Sequence, residues 1–275
     1  MRIGIIGCGW LGWPLAKALI ERGHSVVGTT TRPEKRDRLT ADGIDARLLD
    51  LDVPIPDATR TALRGCNRLF VNVPPGRRHP DVGTRYPEWM RALLTLDNPQ
   101  IDRWVFASST GVYGVATGRV DEATPCEPRR ASGRALLAAE RLLNSALNGR
   151  LCTLRLAGLA GGEREPGRWL AGRTELPQGQ APVNLLHRHD AVQLVRHVLE
   201  SGPLPDNCYN CCAPVHPAKV DYYPARARRL GLAPPTFRAG GSDNKVVDGA
   251  RIRTALGYRF RYPDPAVFPL GSSQK

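Results

Sequence analysis

Apolar positions along this chain follow two rhythms in turn. Some form short unbroken runs, and others recur every three or four residues. The first rhythm fits a strand buried on both faces, the second the inner face of a helix. Arg2-Ile3-Gly4-Ile5-Ile6 is the first run, and Leu11, Leu15, Ala18 and Leu19 predict a helix reaching Glu21-Arg22-Gly23. Ser25-Val26-Val27-Gly28 reads as a second strand, and Pro33 opens a helix that Gly43 closes. Ile44 to Leu49 is the third strand, ending at Asp50-Leu51-Asp52; Asp57 is expected to cap a short helix stopped by Gly65. Leu69 to Val73 is the fourth strand, Pro87 to Leu96 a helix, and Trp104 to Ala107 the fifth strand. Ser132 to Leu147 is strongly helical, Cys152 to Leu156 a sixth strand, and Asp190 is expected to cap a helix over Ala191 to Leu199. A last short strand falls near Tyr209. Strands alternating with helices at this spacing predict an α/β protein with a doubly wound parallel sheet. The predicted organisation is a Rossmann-type nucleotide-binding domain over residues 1–160 and a smaller substrate-binding region over 161–275. Within the latter, about 184–212 return to the sheet.

Between the first strand and the first helix stands Gly7-Cys8-Gly9-Trp10-Leu11-Gly12, a G-x-G-x-x-G. In that context each glycine has a task. Gly7 permits the tight turn, Gly9 lets a pyrophosphate approach the backbone, and Gly12 allows close helix–strand packing. The helix N-terminus offers its N–H groups and positive dipole to phosphate. The sequence therefore predicts a dinucleotide site.

Composition adjusts this picture in few places. The hydrophobic share of 41% and charged share of 24% are ordinary for a globular protein. The formal charge of +13 points to anionic partners. The basic residues are almost all arginine and lie along the whole chain, which argues against a nucleic-acid-binding tail. Seven cysteines with no paired C-x-x-C predict reduced thiols and no metal site, although Cys208 to Cys212 has the look of half a zinc site. No apolar run is long enough to span a bilayer, and a cytoplasmic location is expected.

The segments together resemble the extended short-chain dehydrogenase/reductase superfamily of nucleotide-sugar epimerases and dehydratases, and within it the atypical YeeZ-like branch. The likeness rests on the glycine motif, Asp50-Leu51, Val73-Pro74-Pro75, Ser108-Ser109-Thr110-Gly111-Val112-Tyr113-Gly114, Leu154 to Gly158 and His187 to Asp190. Gly28-Thr29-Thr30-Thr31 and Gly133 to Leu137 carry the likeness to that branch. The resemblance implies that Gly7, Gly9 and Gly12 hold the pyrophosphate and that Asp50 and Leu51 border the adenine. Trp10, Leu11, Val73 and Pro74 complete the implied cofactor set. It places Ser109 where the superfamily keeps its catalytic Ser or Thr, with Tyr113 the nearest phenol. The superfamily's Tyr-x-x-x-Lys pair is missing: aligned on Glu140, its positions hold Ser132 and Leu136. No Tyr or Lys occurs anywhere from Gly114 to Arg150.

An NAD-preferring site places a carboxylate at the end of the second strand. Here that place holds Thr29-Thr30-Thr31-Arg32, so NADP(H) is expected over NAD(H), with Thr30 and Arg32 as contacts and Arg32 the chief one. Arg77 and Arg78 after the fourth strand, with Arg168 and Arg173 early in the second region, flank the substrate cleft in relatives. They are candidate contacts for a small anionic substrate. Two functions stay open. One is an oxidoreductase or epimerase-like enzyme with a modified proton donor, the other a catalytically silent NADP(H)-binding sensor or regulatory protein. A homodimer is the assembly considered; no membrane or nucleic-acid partner is expected.

Overall fold

The structure is a computed structural model, and it describes residues 1–76, 80–241 and 245–270. Eleven strands are formed among these residues: β1 (Arg2–Ile6), β2 (Ser25–Thr30), β3 (Asp45–Leu48), β4 (Arg68–Val71), β5 (Arg103–Ser109), β6 (Gly118–Val120), β7 (Leu151–Leu156), β8 (Gly158–Ala160), β9 (Leu185–His187), β10 (Cys208–Cys211) and β11 (Lys245–Val247). The α-helices are α1 (Gly12–Ile20), α2 (Pro33–Ala41), α3 (Asp57–Arg64), α4 (Val82–Leu94), α5 (Ala131–Leu147), α6 (Arg188–Glu200), α7 (Lys219–Arg229) and α8 (Ala250–Leu256).

Seven strands make one sheet in the order β10-β7-β5-β4-β1-β2-β3. From β3 through β5 every neighbour pair is parallel. Thr153 N bonds Asn207 O and Ala157 N bonds Cys211 O, so β7 and β10 also advance together. The chain winds outward through β1, β2 and β3, then restarts at β4 on the other side of β1. The carboxyl ends of β1 and β4 are therefore the topological switch point, where open α/β sheets bind ligands. The continuous apolar runs are explained by helices on both faces: Ile3, Ile5, Ile6, Leu69, Phe70, Trp104, Val105 and Phe106 are fully buried.

Three expected helix starts are corrected. Asp57 is the first residue of α3 rather than its cap, which is Pro56. α4 begins at Val82 and runs through Pro87. The proline forfeits a bond to the Gly83 carbonyl, but Val82, Tyr86, Met90 and Leu93 form one buried face that outweighs it. α6 begins at Arg188, so Asp190 lies inside its first turn. Asp190 is wholly buried, and its carboxylate accepts from Tyr258 Oη (2.7 Å), Arg261 N (2.8 Å) and Tyr262 N (3.0 Å). It fastens a distant segment instead of capping its own helix.

The chain divides into two compact units. One is Met1–Val112 with Pro128–Arg155 and Val192–Tyr209; the other is Tyr113–Glu127 with Leu156–Ala191 and Asn210–Lys275. The second unit contains elements that the sequence pattern did not reveal. β6 pairs with β11, β8 pairs with β9, and α7 and α8 follow. Its centre holds an ion pair, Arg226 with Glu165, both side chains at most 4% exposed. In the first unit, Arg68 and Arg103 donate to carbonyls at the end of α6, and Arg150 grips Asp97 with two nitrogens. These four arginines are thus spent stitching the fold.

Candidate functional site

The first unit gathers the glycine turn, the ends of β2, β3 and β4, and Ser109. The turn is built by backbone and by two polar side chains. Gly7 takes φ +98°, and a Cβ there would meet the Asn72 carbonyl oxygen at 2.7 Å. Asn72, just past β4, donates from Nδ2 to Gly7 O (3.1 Å), while Gly7 N donates to Thr29 Oγ1 (3.0 Å). Asn72 and Thr29 thus tie the turn to both neighbouring strands across the switch point. A Cβ on Gly12 would lie 2.4 Å from Gly7 O, so helix α1 rests directly on the turn. At Gly9 a Cβ would meet no atom within 4 Å. Gly7 and Gly12 are needed by the protein itself, whereas the space at Gly9 is left open by it. Pro14 falls in the first turn of α1, where its fixed φ is tolerated, and the bonds from Trp13 N to Gly9 O and from Leu15 N to Leu11 O continue the helix around it.

Gly28 belongs to the same construction. A side chain there would meet Cys8 Sγ at 2.6 Å and Ile44 Cγ2 at 2.8 Å. Cys8 fills that space, and burial pushes its thiol up to about 12, so it packs and does not react. The sequence pattern does not single out Asn72, and it marks Gly28 only as part of a motif. Their signals were a polar residue closing an apolar run and a glycine inside a strand.

The end of β2 carries hydroxyls and cations. Thr30 Oγ1 accepts from Arg32 N (3.3 Å), and the Arg32 side chain is exposed at the start of α2. Lys35 and Arg38 lie over the Trp13 ring at 5.7 and 5.0 Å from its centroid. Partial burial, with Arg32 and Arg38 nearby, lowers the Lys35 ammonium below its ordinary range. At the end of β3, Asp50 is exposed and its Oδ1 accepts from Asp52 N (3.0 Å); Leu51 is half-buried. Val73 O accepts from Tyr86 Oη (2.8 Å), and Pro74 follows it beyond β4. Trp10 and Leu11 lead into α1.

At the end of β5 alternate side chains take opposite roles. Ser108 is buried and donates to Glu140 Oε1, whose other oxygen accepts from Arg155 Nη2 (2.8 Å). Ser109 faces the other way; its Oγ accepts from Gly111 N (3.1 Å), which leaves the hydroxyl proton able to donate outward. Gly133 in α5 packs tightly against this turn, since a Cβ there would come within 3.4 Å of Gly111 O. Tyr113 corrects the other catalytic expectation. It is fully buried, and its hydroxyl donates to Asn210 Oδ1 (2.7 Å), so the phenol serves packing in the second unit. Arg168 and Arg173 lie in the second unit with exposed side chains. Arg77 and Arg78 lie outside the described residues. Among the described residues there is no cluster of metal-ligating side chains and no helix long and apolar enough to cross a membrane.

Comparison with known proteins agrees with this geometry. The chain is 39% identical over 277 residues to Protein YeeZ of Escherichia coli (strain K12), covering 98% of this chain and 99% of that one. Among solved structures it matches a functionally unknown conserved protein from Silicibacter pomeroyi DSS, with TM-score 0.76 and 26% identity over 97% of this chain and 95% of the other. It also shares the fold of UDP-glucuronic acid 4-epimerase from Bacillus cereus, solved in complex with NAD. There the TM-score is 0.76 at 16% identity, over 97% and 95% of the two chains. The model of the NAD dependent epimerase/dehydratase family matches residues 3–212, from β1 to just past β10, and the chain belongs to that family.

Proposed function

We propose that this protein binds NADP(H) in its first unit and acts as an oxidoreductase or epimerase-like enzyme on a small anionic substrate. The observation that carries the reading is the open backbone at Gly9, beside a turn that Asn72 and Thr29 hold rigid. The positive end of the α1 dipole points at this turn and suits a pyrophosphate. Asp50 and Leu51 suit the adenine side, with Val73 and Pro74 along the crevice. When bound, the nicotinamide supplies hydride transfer. Ser109, its oxygen fixed by Gly111 N, holds a substrate oxygen by donating its proton. Arg77, Arg78, Arg168 and Arg173 are each proposed as substrate contacts on their charge alone.

Thr30, Arg32 and Lys35 favour a 2′-phosphate, because the end of β2 offers no carboxylate to a 2′-hydroxyl. A charge-assisted bond contributes roughly 1.5–3 kcal/mol, so Arg32→Ala is expected to weaken NADPH about tenfold or more and leave NADH nearly unchanged. Isothermal titration of both cofactors checks this; equal affinities in the parent protein would sink the NADP(H) preference. Gly9→Ala tests the site itself. Its methyl meets nothing in the protein, so the thermal midpoint should stay put while cofactor binding falls at least about tenfold. Unchanged binding would remove the pyrophosphate from this turn.

A second reading rests on one observation. No Tyr or Lys lies between Gly114 and Arg150, so the usual proton donor of carbonyl reduction and its partner charge are missing. On that reading the protein is a catalytically silent NADP(H) sensor or regulator. Tight NADPH binding without turnover across carbonyl and nucleotide-sugar panels would favour it.

A further inference from the structure

We infer that α4 is a positioning element for the adenine end of the dinucleotide, with Arg85 and Trp89 acting through Asp52. The inference rests on the dinucleotide reading above and adds residues that touch no cofactor themselves. The turn after β3 folds on itself, Asp50 Oδ1 accepting from Asp52 N. Asp52 then takes three donors from one helix: Arg85 Nε (2.6 Å) and Trp89 Nε1 (2.9 Å) on Oδ1, and Arg85 Nη2 on Oδ2. The Arg85 guanidinium also lies 4.8 Å from the centroid of the Trp89 ring. An isolated surface ion pair contributes little. Here a two-pronged guanidinium, an indole N–H and a cation–π contact converge on a single carboxylate, which fixes geometry as well as charge.

The same helix holds the next strand's exit. Tyr86, buried between these two residues in sequence, donates to Val73 O and packs edge-on against Trp89. Burial raises its phenol well above the ordinary range, so this donor keeps its proton at any physiological pH. One stretch of α4 therefore sets the turn carrying Asp50 and Leu51 and also the backbone at Val73. Releasing the Asp52 latch lets Leu51 sample positions away from the adenine, and the cofactor must order it again on binding.

The test uses the full chain, titrated with NADPH, with adenosine 2′,5′-bisphosphate and with reduced nicotinamide mononucleotide, which lacks adenosine. Arg85→Ala is expected to weaken NADPH and the bisphosphate by the same factor, about tenfold, with the mononucleotide unchanged. Asp52→Ala should match it, and the double variant should lose no more than either alone, because both remove one interaction. Trp89→Phe keeps the ring and loses only the N–H, so a smaller loss of about threefold is expected; it also covers failure of Arg85→Ala to fold. Undiminished NADPH affinity in Arg85→Ala or Trp89→Phe overturns the inference, as do additive losses or equal losses for the mononucleotide. Failure of the unsubstituted protein to bind NADPH or NADH is a different result, which overturns the dinucleotide reading and this inference with it.

Discussion

Arg226→Ala should destabilise the second unit by about 3–5 kcal/mol, the usual cost of breaking a buried ion pair from one side. Arg226 Nε and Nη2 reach Glu165 at 2.6–3.0 Å, and the guanidinium also donates to the carbonyls of Phe268 and Pro269. Glu165 Oε1 additionally accepts from Gly167 N. Without the arginine, a carboxylate that is 4% exposed stays buried and unneutralised, and the 268–269 segment loses its anchor. Denaturant unfolding followed by tyrosine and tryptophan fluorescence is the measurement. The paired variant Glu165→Leu with Arg226→Met should recover part of the loss, since no charge is then left in the interior. A midpoint unchanged by Arg226→Ala would show that water reaches this pair and that its burial is not what holds the segment.

On the enzyme reading, Ser109→Ala should lower turnover about a hundred- to thousandfold, or about 2.7–4 kcal/mol, with NADPH affinity nearly unchanged. The separation follows from placement: Ser109 lies at the end of β5, away from the glycine turn in sequence, and its Oγ is oriented by Gly111 N. Turnover is measured with NADP(H) against the same carbonyl and nucleotide-sugar panels. Ser108→Ala is not a neutral control for this measurement. Ser108 donates to Glu140, which pairs with buried Arg155, so its loss acts on stability rather than on turnover. Full turnover by Ser109→Ala on an identified substrate would remove Ser109 from the chemistry.

What could be read from sequence was local and periodic. The strand runs are buried on both faces, so the residues inside β1, β4 and the first half of β5 had to be apolar after each leading arginine, and the pattern announced them. The glycine motif was legible for the same reason: a positive φ at Gly7 and a 2.4 Å approach at Gly12 leave no other residue type. The likeness to a family extended that reading to Asp50, Val73 and Ser109, and the absence of Tyr and Lys from Gly114 to Arg150 needed no structure.

Other decisions belonged to the tertiary structure, because they depend on partners far away in the chain. Asp190 has the composition of a helix cap, yet Tyr258 and the backbone at 261–262 claim its carboxylate. Pro87 looked like a helix start; the buried face through Val82 and Tyr86 extends α4 before it. Tyr113 is the nearest phenol to Ser109 in sequence, yet its hydroxyl donates its hydrogen bond to Asn210 on β10. Asn72 and Gly28 became visible as parts of the turn only when β4 and β2 were set beside β1. Local sequence determines which backbone a residue can adopt and which face it buries. Which polar group spends its hydrogen bonds on the fold, and which keeps them for a ligand, is decided by the long-range contacts that bring its partners within about 3 Å.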